Sequence, residues 1–101
     1  MTVTTRRDGN GGVDLTVVGE LDLSTVDRFA TALQSATDEV GPDGSLTLDL
    51  RGVEYLDSAA INALFAHAGQ IKLVLVHPLL VRGLTISGLD RVVEVRPADP
   101  A

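Results

Sequence analysis

The chain has 101 residues, of which 45% are hydrophobic, with a formal net charge of −6 and no cysteine. That length predicts one domain around one core, and the lack of cysteine removes a disulfide framework and a thiolate metal site. The acidic balance speaks against nucleic acid, which needs a basic surface to displace counterions, and against an anionic membrane surface. Aromatic mass is confined to Phe29, Tyr55 and Phe65, so the core must be aliphatic. The stretch from Met1 to Arg7 lacks the apolar run of a signal peptide, and no segment approaches the ~18 apolar residues of a membrane span. A cytoplasmic location without membrane insertion is the expectation.

In chain order, Val3 to Arg7 reads as a short strand. Asp8-Gly9-Asn10-Gly11-Gly12 is a dense turn signal. Val13 to Gly19 follows, with Val13, Leu15 and Val17 on one face. Two runs around such a turn predict a hairpin, which makes the first strand antiparallel to the second. Gly19-Glu20-Leu21-Asp22-Leu23 then leads to Ser24, which forms a capping-box pattern with Asp27. Val26, Phe29, Ala30, Leu33, Thr37 and Val40 keep helical spacing and predict an amphipathic helix from about Thr25 to Glu39. Gly41-Pro42-Asp43-Gly44 ends it.

Leu46, Leu48 and Leu50 alternate with Thr47 and Asp49, the period of a strand. Val53 and Leu56 read as pins of a loop behind that strand. Asp57 and Ser58 both suit a helix N-terminus, where a side-chain oxygen accepts from free backbone N–H groups. The helix that follows is rich in alanine, the best helix former. Ile61, Leu64, Phe65 and Ala68 are its expected inward stripe, and Gly69 its expected C-cap. Ile71 to Val76 is the most apolar run and predicts a strand covered on both faces. His77-Pro78 opens a third helix with proline in a tolerated first-turn position. Leu80, Leu84 and Ile86 are its expected inward residues, and Ser87-Gly88 closes it. Val92 to Val95 is a last short strand, and residues from Pro97 onward read as a frayed tail.

The order β, β-α, β-α, β-α, β predicts an α/β domain: a mostly parallel sheet with an antiparallel N-terminal strand and helices packed on it. Glu20, Asp22, Asp49 and Asp57 fall near strand ends, and ligands of open α/β sheets bind at the carboxyl ends of parallel strands. Ser58 sits at the same kind of corner. Catalysis by Ser58 is not expected, because there is no Gly-x-Ser-x-Gly elbow and neither His67 nor His77 is placed to serve as a base. Two separated histidines without cysteine make no metal site. Neither a P-loop nor a dinucleotide fingerprint is present. No cofactor and no enzymatic activity are expected.

The central stretch carries a family resemblance. Leu48-Asp49-Leu50-Arg51-Gly52-Val53, then Leu56-Asp57-Ser58 and Ile61-x-x-Leu64, resembles the signature of STAS domains, and specifically of anti-sigma factor antagonists. Gly19-Glu20-Leu21-Asp22 is similar to a second family motif. Leu73-Val74-Leu75-Val76, Pro78 and Ser87-Gly88-Leu89-Asp90-Arg91-Val92 follow the family's C-terminal pattern. The resemblance implies a single STAS domain over 1–101, with a core of about 3–95 and a tail at 96–101.

It further implies a protein that binds an anti-sigma factor of the serine-kinase type and frees a sigma factor. Phosphorylation of the serine after the aspartate, here Ser58, switches it off. The implied partner surface is Glu20, Asp22, Ser24, Asp57, Ser58, Ala59, Ala60 and Asn62. Alternatives within the family are a scaffold that is never phosphorylated, such as an accessory subunit of a lipid-transport ATPase, and a small-molecule or nucleotide sensor. The sequence departs from the family in having Ala59-Ala60 where Ser/Thr-Gly usually follows the serine, in a shorter segment from Leu64 to Ile71, and in lacking the last amphipathic helix. The last departure leads us to expect an uncovered sheet face or helix groove, open to a partner or to homodimerisation.

Overall fold

The computed structural model describes residues 1–42 and 44–99. It contains β1 (Thr2–Arg7), β2 (Val13–Leu21), α1 (Val26–Glu39), β3 (Leu46–Leu56), α2 (Ser58–His67), β4 (Ile71–Val76), α3 (Val81–Ser87) and β5 (Glu94–Pro97). Short 3-10 turns at Ala68–Gln70, Pro78–Leu80 and Leu89–Arg91 flank α2 and α3. The strands form one sheet in chain order, with β1 antiparallel to β2 and the other neighbours parallel. The hairpin and the β-α alternation expected from the sequence are both present.

A sheet whose strand order follows the chain steps the same way at every right-handed crossover, so its helices share one face. Side-chain burial follows that rule. Val13, Leu15, Val17, Leu46, Leu48, Leu50, Val74 and Val76 are buried on the helix side. They meet Phe29, Leu33 and Ala36 of α1, Ala60 and Leu64 of α2, and Leu84 of α3 in one core. The alternate positions Asp14, Thr16, Thr47, Asp49, Arg51 and Leu75 line a shallow depression on the opposite face. β4 therefore departs from expectation: its Leu73 and Leu75 lie on the helix-free face and are half-buried rather than covered.

β3 is the main correction to the reading of elements. It does not give way to a loop after Leu50 but continues to Leu56 beside β2. Thr16 pairs with Asp49 but Val18 with Gly52, and Gly19 pairs with Val53 but Glu20 with Tyr55. Each shift inserts one extra residue into β3, a bulge. After the first bulge the inward side passes to Val53, which is fully buried, and after the second it returns to Leu56.

Smaller corrections share one cause: apolar residues outnumber inward positions, so packing selects among them. On α2 the buried residues are Ala60 and Leu64, while Phe65 is 38% exposed. On α1, Ala36 is buried at a position not assigned to the core from the sequence. Ile86 of α3 is 76% exposed. The C-cap of α2 is Ala68, and Gly69 lies inside the following 3-10 turn. Gly88 does end α3, in the left-handed conformation that favours glycine. The last strand starts at Glu94 and takes in Pro97, and the Ala98 N–H donates to Val76 O at 2.9 Å. Pro100 and Ala101 of the expected tail, and Asp43 of the helix-ending turn, lie outside the described residues.

Candidate functional site

The corner between β3 and α2 is built by Asp57. Its backbone is extended (φ −92°, ψ −179°), the geometry of an N-cap. Its Oδ1 accepts from the Ala60 N–H at 3.1 Å, and its carbonyl accepts from the Ile61 N–H at 3.1 Å. The sequence left Asp57 and Ser58 equal as caps; the structure assigns the cap to Asp57. Ser58 is the first helical residue, exposed, and among the described residues no hydrogen bond engages its hydroxyl.

The loop from β2 to α1 is held by Asp22. Its Oδ1 accepts from the Ser24 N–H at 2.9 Å and from the Ser24 hydroxyl at 2.6 Å. The Ser24 hydroxyl, first among several donors, holds the Asp22 carboxyl below the usual carboxylate range, against partial desolvation. This replaces the expected capping box. The Ser24 hydroxyl donates to this charged acceptor, and the N-cap position falls one residue later, on Thr25. Thr25 takes the N-cap position without a side-chain cap, because its Oγ1 donates to Glu20 O at 2.9 Å and accepts from the Asp22 N–H at 3.0 Å.

The two loops meet. Glu20 pairs with Tyr55 and Leu21 with Leu56 across the ladder, and the Asp57 N–H donates to Leu21 O at 3.0 Å. Glu20, Asp22, Ser24, Asp57 and Ser58 thus share the carboxyl-end rim of β2 and β3. Asn62 is exposed one helical turn beyond Ser58 on the same side of α2. Ala59 is half-buried next to Ser58, but Ala60 is buried in the core and drops out of the surface set. Its methyl fills the interior, where a glycine would leave a gap.

Asp49 leaves the rim as well. It lies mid-strand on the helix-free face, where Arg51 grips it through Nε–Oδ1 at 3.0 Å and Nη2–Oδ2 at 2.8 Å. The Arg51 side chain holds the Asp49 carboxyl below its usual range. By contrast, Glu20, Asp22, Glu54 and Asp57 make no ion pair among the described residues, where the ion pairs are Arg7–Glu39, Arg51–Asp49 and Arg96–Glu94. Sequence reading missed the apolar residues at this end of the sheet. Leu23, Tyr55 and Leu79 are 78%, 52% and 75% exposed. Their signal in the sequence is slight: Leu23 and Leu79 stand a few residues past the ends of β2 and β4, and Tyr55 sits where β3 breaks its period of two.

Both histidines serve their own turns. His67 Nδ1 lies 3.0 Å from Ala63 O, and His77 Nδ1 accepts from the Leu79 N–H at 3.1 Å at the start of the 3-10 turn before α3. Among the described residues no His, Cys, Asp and Glu group is arranged to hold a metal ion, and no helix is long and apolar enough to cross a membrane. An exposed serine thus stands at the start of a helix, on the rim that also carries Glu20, Asp22 and Asp57.

Fold and corner together define a small two-layer α/β domain, a sheet with its helices on one face. The chain belongs to the STAS domain family, whose model, described as Mlab, STAS domain, matches residues 3–94. Its structure is similar to the crystal structure of an anti-sigma factor antagonist from Mycobacterium paratuberculosis, with a TM-score of 0.79 and 26% identity over 96% of this chain and 87% of that one. It is also similar to the anti-sigma factor antagonist SpoIIAA in its unphosphorylated form, with a TM-score of 0.70 and 14% identity over 93% of this chain and 87% of that one. The phosphorylated form of the Bacillus cell fate determinant SpoIIAA matches with a TM-score of 0.63 and 14% identity, over 93% and 90% of the two chains. At 14% identity these last two show a common fold. No curated protein sequence matches the chain.

Proposed function

We propose that the protein is an anti-sigma factor antagonist. In its unmodified form it binds an anti-sigma factor of the serine-kinase type in the cytoplasm and so releases a sigma factor. Transfer of a phosphate to Ser58 ends that binding. The observation that carries this reading is the division of labour at the corner: Asp57 caps α2, which leaves the Ser58 hydroxyl exposed and uncommitted. The likeness to an anti-sigma factor antagonist at 26% identity supports the same role.

The physics of such a switch is local. A phosphate on the first helical residue meets the free N–H groups of the first turn and the positive end of the helix dipole, so the fold tolerates it. It adds ~1.5–2 negative charges beside Asp22 and Asp57. A partner that covers Ser58 must strip water from this dianion. A ~100-fold loss of affinity needs about 2.7 kcal/mol, within reach of one such desolvation.

The test is to incubate the protein with its cognate kinase-type anti-sigma factor and ATP and to measure the intact mass. One added phosphate that disappears in Ser58→Ala is the expected result. Ala59-Ala60 behind the serine favours a second reading, a STAS scaffold that is never phosphorylated. Stable binding with no phosphate transfer would establish that reading instead.

A further inference from the structure

The two edges of the sheet are unlike. β5 is four residues long and ends at Pro97, and the Ala98 amide after it turns inward to Val76 O. β1 is six residues long, has no proline and no bulge against β2, and keeps its two charges, Arg6 and Arg7, at one end. These are the devices that normally blunt an edge. The hairpin fixes which groups of β1 are free. The Asp8 N–H donates to Gly12 O at 2.9 Å, while the Val13 N–H points away from β1 and donates to Ser45 O at 2.9 Å. Arg7 and Val13 are therefore a non-hydrogen-bonded pair. Alternation along an antiparallel ladder makes Thr5–Leu15 and Val3–Val17 the same. The N–H and C=O groups of Val3, Thr5 and Arg7 thus point out of the sheet edge, and no backbone hydrogen bond engages them among the described residues.

Beside this edge, Met1, Val3, Asp27, Arg28, Thr31 and Ala32 line a groove of ≈430 Å³ between β1 and α1. Met1, Val3 and Ala32 are only partly buried. We propose that β1 is a homodimer edge: it pairs antiparallel with β1 of a second copy about a two-fold axis at Thr5, joining the two sheets into one. Among two-fold registers this one alone engages all three free residues. Thr5 faces Thr5, and Val3 faces Arg7 in both directions, each pair exchanging two bonds. Arg6 falls opposite Thr4, so no like charges stand directly opposite each other. Charge complementarity supports the same register. Arg7 holds Glu39 at the C-terminal end of α1 in its own chain. Across the axis it meets Val3 of the second copy, whose groove carries Asp27 from the first turn of α1. The aliphatic stem of Arg7 then covers the apolar side of that groove. None of these residues belongs to the Ser58 rim, so the inference is independent of the proposed function.

Single-cysteine variants test it, because the chain has no cysteine of its own. Residues facing each other in a hydrogen-bonded antiparallel pair have Cα atoms ~5.5 Å apart, within the ~4.4–6.8 Å that a disulfide spans. On mild oxidation Thr5→Cys is expected to cross-link into a dimer and Val3→Cys alone to stay uncross-linked, while a mixture of Val3→Cys and Arg7→Cys cross-links. Cross-linking of Val3→Cys as readily as Thr5→Cys, or of no variant, overturns the proposal. The second measurement is sedimentation equilibrium of the whole protein. A monomer–dimer equilibrium is expected, shifted to monomer in Thr5→Pro. That proline removes only the outward amide, which an edge strand tolerates, so the circular dichroism spectrum is retained. A protein that stays monomeric at millimolar concentration, or a dimer as tight in a folded Thr5→Pro as in the parent, overturns the proposal.

Discussion

The amide of Asp57 donates to the carbonyl of Leu21 at 3.0 Å, and this one bond joins the end of β2 to the start of α2. Asp57 is bound at three points: this amide, its carbonyl to Ile61 and its carboxylate to Ala60. Ser58 is bound at none through its side chain among the described residues. The pair is a fixed residue carrying a free one, and the sharpest predictions concern the contrast between them.

Asp57→Ala should cost about 1 kcal/mol, the usual loss for an N-cap carboxylate. In a domain of this size that lowers the melting temperature by about 4–8 °C. Thermal unfolding by circular dichroism measures it.

Ser58→Ala should change stability by less than about 0.5 kcal/mol, because nothing in the fold uses its hydroxyl. If Ser58→Ala proved as damaging as Asp57→Ala, the assignment of the cap would be wrong.

Acid should weaken the fold partly through Asp22 and Asp49. Both carboxyls have folded-state values below their ordinary range, Asp22 through Ser24 and Asp49 through Arg51. A depressed carboxyl contributes stability that is fully present above the unfolded value of ~3.9 and is lost as pH falls through the folded value. Asp49→Asn removes one such group, so urea midpoints at neutral pH and at pH about 3 should lie closer together in the variant than in the parent. Equal separations would count against the pairing with Arg51.

Two glycines should respond to alanine with opposite signs. Gly19 has φ +120°, and its Cβ would approach Met1 Cα to 3.0 Å. Gly19→Ala should destabilise by about 1–3 kcal/mol through backbone strain. Gly83 is helical with open space at its Cβ position, and Gly83→Ala should stabilise by up to about 1 kcal/mol. Denaturant titration with unchanged m-values would report both.

Much of this could be read from the chain. Turn residues at 8–12, helical spacing from Val26 and alternation from Leu46 predicted each element in its order. That order suffices to predict a mostly parallel sheet; that the strands lie side by side in chain order, which puts every helix on one face and leaves β4 covered on one side only, was decided by the tertiary structure. The acidic Glu20-Asp22 turn and the Asp57-Ser58 corner were likewise visible as neighbours of strand ends.

What only the tertiary structure decided lies where several residues of one chemical type competed. Asp57 and Ser58 both cap well, and the extended backbone at Asp57, fixed by its bond to Leu21, chose between them. α2 is apolar on most sides, so contact with α1 and the sheet, rather than periodicity, buried Ala60 and left Phe65 out. β3 hid its second half because two bulges break the period of two, and bulges exist only relative to a partner strand. The small apolar cavity lined by Leu56, Ile61, Leu80 and Leu84 is likewise a space between elements. Sequence periodicity reports one element against an averaged environment. Caps, bulges and cavities depend on which neighbour arrives, and that is settled only when the whole chain packs.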